Sequence, residues 1–241
     1  MSIGIIIPTY NETIKVFDLI NLINKNLKIK YILIIDDTKN SKIKKISLYF
    51  KNVIYINRKT KMGRGSAIIY GIKLLMKKNI NIIIEMDADF SHNPSEIKKN
   101  IQLFTKKKID LLISSRYLDK SKIINWPLRR RIFSRCANFL ARILLNVPIT
   151  DYTNGFRIYS KNTFEIITKN CGKIGDGFII LSEIVYEIHR HNLKISETMT
   201  KFKNRLRGES SVNIKLIFDS LIGLIRIYLK RKIHKQLILF K

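Results

Sequence analysis

Ile82, Ile83 and Ile84 form an unbroken β-branched run that leads directly into Glu85-Met-Asp-Ala-Asp-Phe-Ser-His-Asn-Pro94. A run of this kind suits a strand covered on both faces, and such strands belong to parallel sheets with helices on either side. The stretch therefore restricts the chain to an α/β architecture. Asp87 and Asp89 follow where the strand is predicted to end. In an extended segment residues i and i+2 point the same way, so both carboxylates can face one ligand. Behind them Asn93 is a predicted N-cap, Pro94 suits the first helical position, and Glu96 completes an arrangement like a capping box.

The same alternation recurs upstream. Ile3 to Ile7 read as a strand stopped by Pro8, and Thr9 to Glu12 as a polar loop before a helix carrying Ile14, Phe17, Leu19, Ile20 and Ile23. Tyr31 to Ile35 and Val53 to Ile56 read as two more strands, ending in Asp36-Asp37 and Asn57-Arg58. Lys61 to Ser66 opens a helix through Met76, and Asp110 to Ser114 forms a fifth strand. The prediction is an open, mainly parallel sheet with ligands beyond the carboxyl ends of its strands. Gly63 and Gly65 let backbone N–H groups approach a phosphate, or serve as turn residues. No Gly-x-Gly-x-x-Gly follows the first strand, which argues against a nicotinamide cofactor.

Two carboxylates at one sheet edge need a reason to stay ionised together. A divalent cation, Mg²⁺ or Mn²⁺, supplies one, because such ions use one or two carboxylates plus substrate phosphates. The competing reading is that Asp87 and Asp89 decorate a turn.

Composition narrows the partners. Lys and Arg number 46 against 18 Asp and Glu, a net charge of +28 over 241 residues. Nucleic acid, an anionic membrane and phosphorylated small molecules all answer such a charge, as does a compositional bias toward Lys. The length suits one large domain with a terminal segment. Cys136 and Cys171 are too few for a disulfide framework, which fits a reducing, cytoplasmic location. The N-terminus reads as a strand, not a signal peptide, and no apolar run is long enough to cross a membrane.

The second half changes character. Trp126 to Leu145 reads as a helix with Leu128, Ile132, Phe133, Phe139, Leu140, Ile143 and Leu144 on one side and five Arg around the rest. It lies at an anionic membrane surface or packs on the core with a solvated basic face. Asp151 to Arg157 is a turn-rich loop, and an acidic-faced helix carries Glu183 and Glu187. The segment 213–241 is apolar with a late basic cluster, suited to a membrane, a partner or the core. His92, His189 and His191 are predicted to pack or cap.

Several segments together resemble the family 2 glycosyltransferases of the dolichyl-phosphate mannosyltransferase type. They are Pro8 to Glu12, Ile35 to Asp37, Asp87 to Pro94, Ser115 to Tyr117, Trp126 to Leu145, Asn154 to Tyr159 and Arg205 to Ser210. The resemblance spans about residues 3–212, and residues 1–212 are taken as the catalytic domain with 213–241 as a terminal segment. It implies a Rossmann-like, GT-A type fold. By position it assigns the nucleoside to Pro8, Tyr10, Glu12, Ile35 and Asp37, and the diphosphate with its metal to Asp87, Ala88 and Asp89. Arg116 and Arg205 match positions that contact donor and acceptor phosphates, Arg130 a site for the lipid phosphate, and Ser211 a position usually held by Lys. A second departure is Thr38-Lys-Asn40, where relatives carry a small residue and a Ser-x-Asp loop.

The implied reaction is inverting, metal-dependent transfer of a hexose, mannose from GDP-mannose, to a polyprenyl phosphate on the cytoplasmic face of a membrane. The enzyme would be peripheral or helped by a separate membrane subunit. A saccharide acceptor is the alternative. Nucleic-acid binding, suggested by charge alone, has no recognised module to support it.

Overall fold

The computed structural model describes residues 1–175, 177, 179–204 and 214–239, and the side chains of all of these except 214–218 and 233–239. The first half alternates as predicted. It runs β1 (Ile3–Thr9), α1 (Lys15–Asn26), β2 (Tyr31–Asp36), α2 (Ile46–Tyr49), β3 (Val53–Asn57), α3 (Arg64–Lys77), β4 (Ile82–Glu85), α4 (Glu96–Lys106) and β5 (Leu111–Ser115). Then follow β6 (Lys122–Ile124), α5 (Leu128–Leu145), β7 (Arg157–Ser160), α6 (Lys161–Asn170), α7 (Ile179–Arg190), β8 (Ile195–Met199), β9 (Lys201–Lys203) and α8 (Ile214–Leu239).

Seven strands form one sheet in the order β3-β2-β1-β4-β7-β5-β8, and β6 pairs with β9 separately. All neighbours in the large sheet are parallel except β7, which runs antiparallel to β4 and β5. The isoleucine runs are explained by burial on both faces. Ile6, Leu33, Ile35 and Ile83 enter a core with α3, α6 and α7, while Ile5, Ile7, Ile34, Ile82 and Ile84 enter a second core with α1 and α4. Alternate residues thus meet different helices, as the two-residue period requires.

Two local expectations differ, and one helix face takes a place its sequence did not specify. Pro8 does not stop β1, which continues to Thr9 with Pro8 in register with Ile35. Ile6 carbonyl accepts from Met86 N–H, so even-numbered residues of β1 face β4, whose pairing has already ended at Glu85. The missing proline donor falls where no ladder needs it. Glu96 does not close a capping box. Asn93 Oδ1 accepts from Ser95 N–H at 3.1 Å, but the Glu96 carboxylate reaches across to Thr200 Oγ1 and Lys201 N–H at 2.6 and 2.9 Å. The acidic face of α7 is not solvated: Glu183 and Glu187 are fully buried, and Glu187 pairs with Arg190 and Lys230.

Helix α5 packs Leu140 and Leu144 against the core and leaves much of its apolar side uncovered by the described residues. Leu128, Ile132, Phe133, Phe139 and Ile143 are exposed, and only Asn138, Ala141 and Leu145 are buried, so most of its apolar positions do not pack on the core. Helix α8 packs Leu224 and Ile227 into the same core as α5 and α7 and leaves Leu221, Ile222, Ile225 and Leu229 exposed. Among the described residues no helix is long and apolar enough to cross a membrane.

Candidate active site

The carboxyl ends of β3, β2, β1 and β4 bring Asn57, Asp36, Thr9 and Glu85 to one edge. Beside β1 and β2 opens a cleft of about 330 Å³ lined by Tyr10, Asn11, Asp37, Thr38, Lys39, Asn40, Lys59 and Lys61. Tyr10 is 43% exposed, and Lys61 Nζ lies 4.8 Å from its ring centroid. An exposed ring with cations around it suits a flat, anionic ligand such as a nucleotide.

Of the five residues matched to the nucleoside, Tyr10 and Asp37 line this cleft. Pro8 and Glu12 are half-buried beside the end of β1 and are not among the lining residues. The Ile35 side chain is buried in the core on the α3 side of the sheet and is not among the residues lining the cleft. Asp37 is already engaged. Arg58 grips it with Nε and Nη2 at 2.6 and 2.8 Å, and the N–H groups of Met62 and Gly63 add 2.9 and 3.1 Å. The carboxylate thereby folds the 58–63 loop back onto the sheet edge. Gly63, at φ +85°, makes the turn into α3 that this folding needs. Its N–H is bound to Asp37, so of the two readings of this glycine the turn is the one realised.

The loop delivers Arg64 to the acidic end of β4. Arg64 Nε and Nη2 donate to Glu85 Oε1 at 3.1 and 2.6 Å, and Nη1 donates to Asp87 Oδ1. Tyr159 OH donates to the other Glu85 oxygen at 2.6 Å. Burial opposes the charged guanidinium, but Asp87 and Glu85 outweigh it and hold Arg64 above its ordinary value. Burial and Glu85 likewise hold the Tyr159 phenol protonated well above its usual range.

Asp87 and Asp89 are not two steps of one extended segment. The chain bends at 88–90, with Phe90 at φ +62°, and Asp89 Oδ1 accepts from Ser91 N–H at 3.0 Å. Ala88 is buried within the bend. His92 braces it: Nδ1 accepts from Asp87 N–H at 3.1 Å, and Nε2 meets Asn154 Oδ1 at 2.9 Å. This is the packing role predicted for His92.

Formal charges test the site against a metal. Glu85, Asp87 and Asp89 contribute −3 and Arg64 +1, leaving −2, which one divalent cation balances. Among the described residues no group of three or more His, Cys, Asp or Glu is gathered as a cage. Were a divalent ion bound here, Asp87 and Asp89 would be its protein donors and substrate phosphates would fill the other positions.

A second, basic cluster lies past β5. Arg116 is buried, donates from its backbone N–H, Nε and Nη2 to Asp151 at 2.8 to 2.9 Å, and reaches Thr153 Oγ1 at 2.6 Å. Two of its three guanidinium nitrogens therefore brace the 151–154 loop. Its carbon sits 5.2 Å from the Trp126 ring centroid, and that of Arg130 sits 4.8 Å from the same ring. Phe202 packs on Trp126 at 5.4 Å, and Arg130 Nη1 donates to Asn204 Oδ1 at 3.2 Å. Arg116 and Arg130, predicted separately, are thus brought together around one indole. Arg205 and Ser211 lie outside the described residues.

Arg64, Glu85 and Tyr159 went unassigned in the sequence reading. Arg64 stood inside the glycine-flanked stretch before α3 and Glu85 next to the acidic pair, so signals existed for both. Tyr159 closes the Asn154-to-Tyr159 segment of the resemblance, but its approach to Glu85 depends on the antiparallel insertion of β7 and was not legible.

Residues 4–167 match the family model described as glycosyl transferase family 2. The chain is 27% identical to undecaprenyl-phosphate mannosyltransferase of Micrococcus luteus, over 94% of this chain and 93% of that one. It is 34% identical to dolichol-phosphate mannosyltransferase of Pyrococcus furiosus, over 94% of this chain and 64% of the longer relative. Among solved structures it resembles glucosyl-3-phosphoglycerate synthase of Mycobacterium tuberculosis in complex with Mn²⁺, UDP and glucosyl-3-phosphoglycerate, with TM-score 0.62, 16% identity, and coverage of 91% and 76%. At that identity the likeness concerns the fold.

Proposed function

Since the chain belongs to glycosyl transferase family 2, and is therefore a glycosyltransferase of GT-A-like fold, we propose that it transfers a hexose from a nucleotide sugar to a polyprenyl phosphate. Mannose is the favoured hexose, following the names of the relatives, and GDP-mannose is the donor that the sequence resemblance implies. The observation that carries the reading is that one end of the sheet holds three unlike surfaces. At the carboxyl ends of β1, β2, β4 and β5 lie a cleft of about 330 Å³, an acidic edge, and an Arg-Trp-Arg cluster at the start of a helix with exposed apolar and basic side chains.

Tyr10 and Lys61 offer a base platform, and Asp37 keeps the 58–63 loop against it. Asp87 and Asp89 would hold Mg²⁺ or Mn²⁺, which when bound neutralises charge on the departing diphosphate. Arg116, Arg130 and Arg205 are assigned to the phosphates, Arg116 mainly by bracing the 151–154 loop. An acceptor phosphate oxygen bonds to the anomeric carbon while the bond from that carbon to the diphosphate breaks, the electron pair leaving with the nucleotide. The configuration inverts. That oxygen is already ionised at neutral pH, so no base must remove a proton, in keeping with the structural use of His92.

The exposed face of α5 fits a bilayer, with Arg129 and Arg135 beside Leu128, Ile132 and Phe133. The unpaired thiols Cys136 and Cys171 suit its cytoplasmic side. Radiolabelled transfer from GDP-mannose, UDP-glucose and other donors, with Mg²⁺ or Mn²⁺, tests the reading. Metal-dependent glycolipid from one donor, at least ~100-fold reduced in Asp89→Ala, is expected. Product from none of them, with nucleotide binding intact, would contradict it.

A further inference from the structure

Arg64 makes two kinds of contact at once. One end is fixed: Nε and Nη2 sit on Glu85, a fully buried carboxylate whose other oxygen is held by Tyr159. Nη2 also lies 3.3 Å from the Gly155 carbonyl. The packing there leaves no space, since a Cβ added to Gly155 would stand 2.0 Å from Nη2. The other end is open to a ligand. Nη1 sits on Asp87, whose side chain keeps 28% of its surface exposed, against 0% for Glu85.

A cation arriving at Asp87 meets an oxygen already held by a guanidinium, and meets a positive charge beside it. A diphosphate arriving with the cation changes both conditions, because its oxygens accept the donor that Arg64 withdraws and screen the two cations from each other. We infer that Arg64 holds the place of the metal at Asp87 until nucleoside diphosphate and cation arrive together, so that metal binding is coupled to nucleotide binding. The inference rests on the metal-dependent reading of Asp87 and Asp89. Coupling of this kind is reciprocal: the metal tightens the nucleotide by the same factor.

Mn²⁺ binding, read from the electron paramagnetic resonance signal of the free ion, tests this without any turnover. Native protein, Arg64→Gln/Glu85→Gln and Arg64→Lys are titrated with and without GDP or UDP, against nucleotide and Mn²⁺ alone. The double variant leaves no buried charge unpaired, and Lys keeps the charge but cannot span both carboxylates. Native protein is expected to bind Mn²⁺ roughly tenfold tighter with nucleotide than without. The double variant is expected to bind Mn²⁺ alone roughly tenfold tighter than native protein and to show a correspondingly smaller nucleotide dependence, what remains being the direct ligation of the ion by phosphate oxygens. Arg64→Lys should fall between. Native-like Mn²⁺ affinity without nucleotide in both variants would overturn the role of Arg64 while leaving the metal reading in place. Absence of Mn²⁺ binding by native protein even with nucleotide would overturn both.

Discussion

Asp151 has no exposed surface and accepts from the backbone N–H, Nε and Nη2 of Arg116. Burial pushes its carboxyl up, but the Arg116 charge and these hydrogen bonds outweigh burial and hold it below its ordinary 3.8. A carboxyl lowered in the folded state contributes stability that is complete above the unfolded value and is lost as pH falls through the folded one. Asp151→Asn should therefore cost about 3–5 kcal/mol at pH 7, where it leaves Arg116 buried and unpaired. Urea unfolding of both proteins, repeated from pH 7 downward, should show the gap narrowing only below the ordinary carboxylate range. Gly155→Ala belongs to the same scale. Its methyl would displace the Arg64 guanidinium, the far end of a flexible side chain, so Gly155→Ala should loosen the hold on Asp87 and tighten Mn²⁺ binding without nucleotide up to roughly tenfold, as in the double variant. Circular dichroism should show the fold retained, and unchanged Mn²⁺ affinity would contradict the contact.

At the scale of elements, the proposal assigns the meeting with a lipid acceptor to α5. Phe139 and Ile143 are 67% and 57% exposed, so changing both to Glu should alter folding stability by no more than ~0.5 kcal/mol each. Each side chain fully taken out of water is worth about 1.5–3 kcal/mol, so the same pair should cost much of the affinity for anionic vesicles. Cosedimentation measures this, and undiminished binding would remove α5 from the interface. The sequence shows this helix through its spacing, but spacing cannot say whether a neighbour covers the face. The same limit explains α7. Glu183 and Glu187 repeat at i and i+4 like a solvated acidic face, yet Lys230 of α8 meets Glu187 from 43 positions away. The strands of the first half were legible because each carries its own short apolar run, β-branched in β1 to β4 and Leu-Leu-Ile in β5. The placement of β7 between β4 and β5 was not, because that pairing joins segments about 75 residues apart in sequence. At the site, the acidic pair and the arginines were legible as residue types. The commitment of Asp37 to Arg58 and of Arg116 to Asp151 was not, since the carboxylates and arginines look alike in sequence whether they face a ligand or each other.

The whole molecule separates its tasks across the sheet. Strands β1 to β4 and the 58–63 loop frame the nucleotide cleft and the acidic edge, while the chain after β5 supplies Arg116, Trp126, Arg130 and the exposed helix. This division makes the acceptor, more than the donor, the point on which the account stands. The measurement that tests it most directly is sugar transfer by native protein, with donor and Mn²⁺ fixed, to a polyprenyl phosphate in anionic vesicles and to a soluble saccharide in parallel. The account predicts product on the lipid phosphate, with transfer at least ~10-fold lower when Arg130 is changed to Ala, as expected for loss of a charge-assisted phosphate contact. Transfer to the saccharide with none to the lipid phosphate would contradict it.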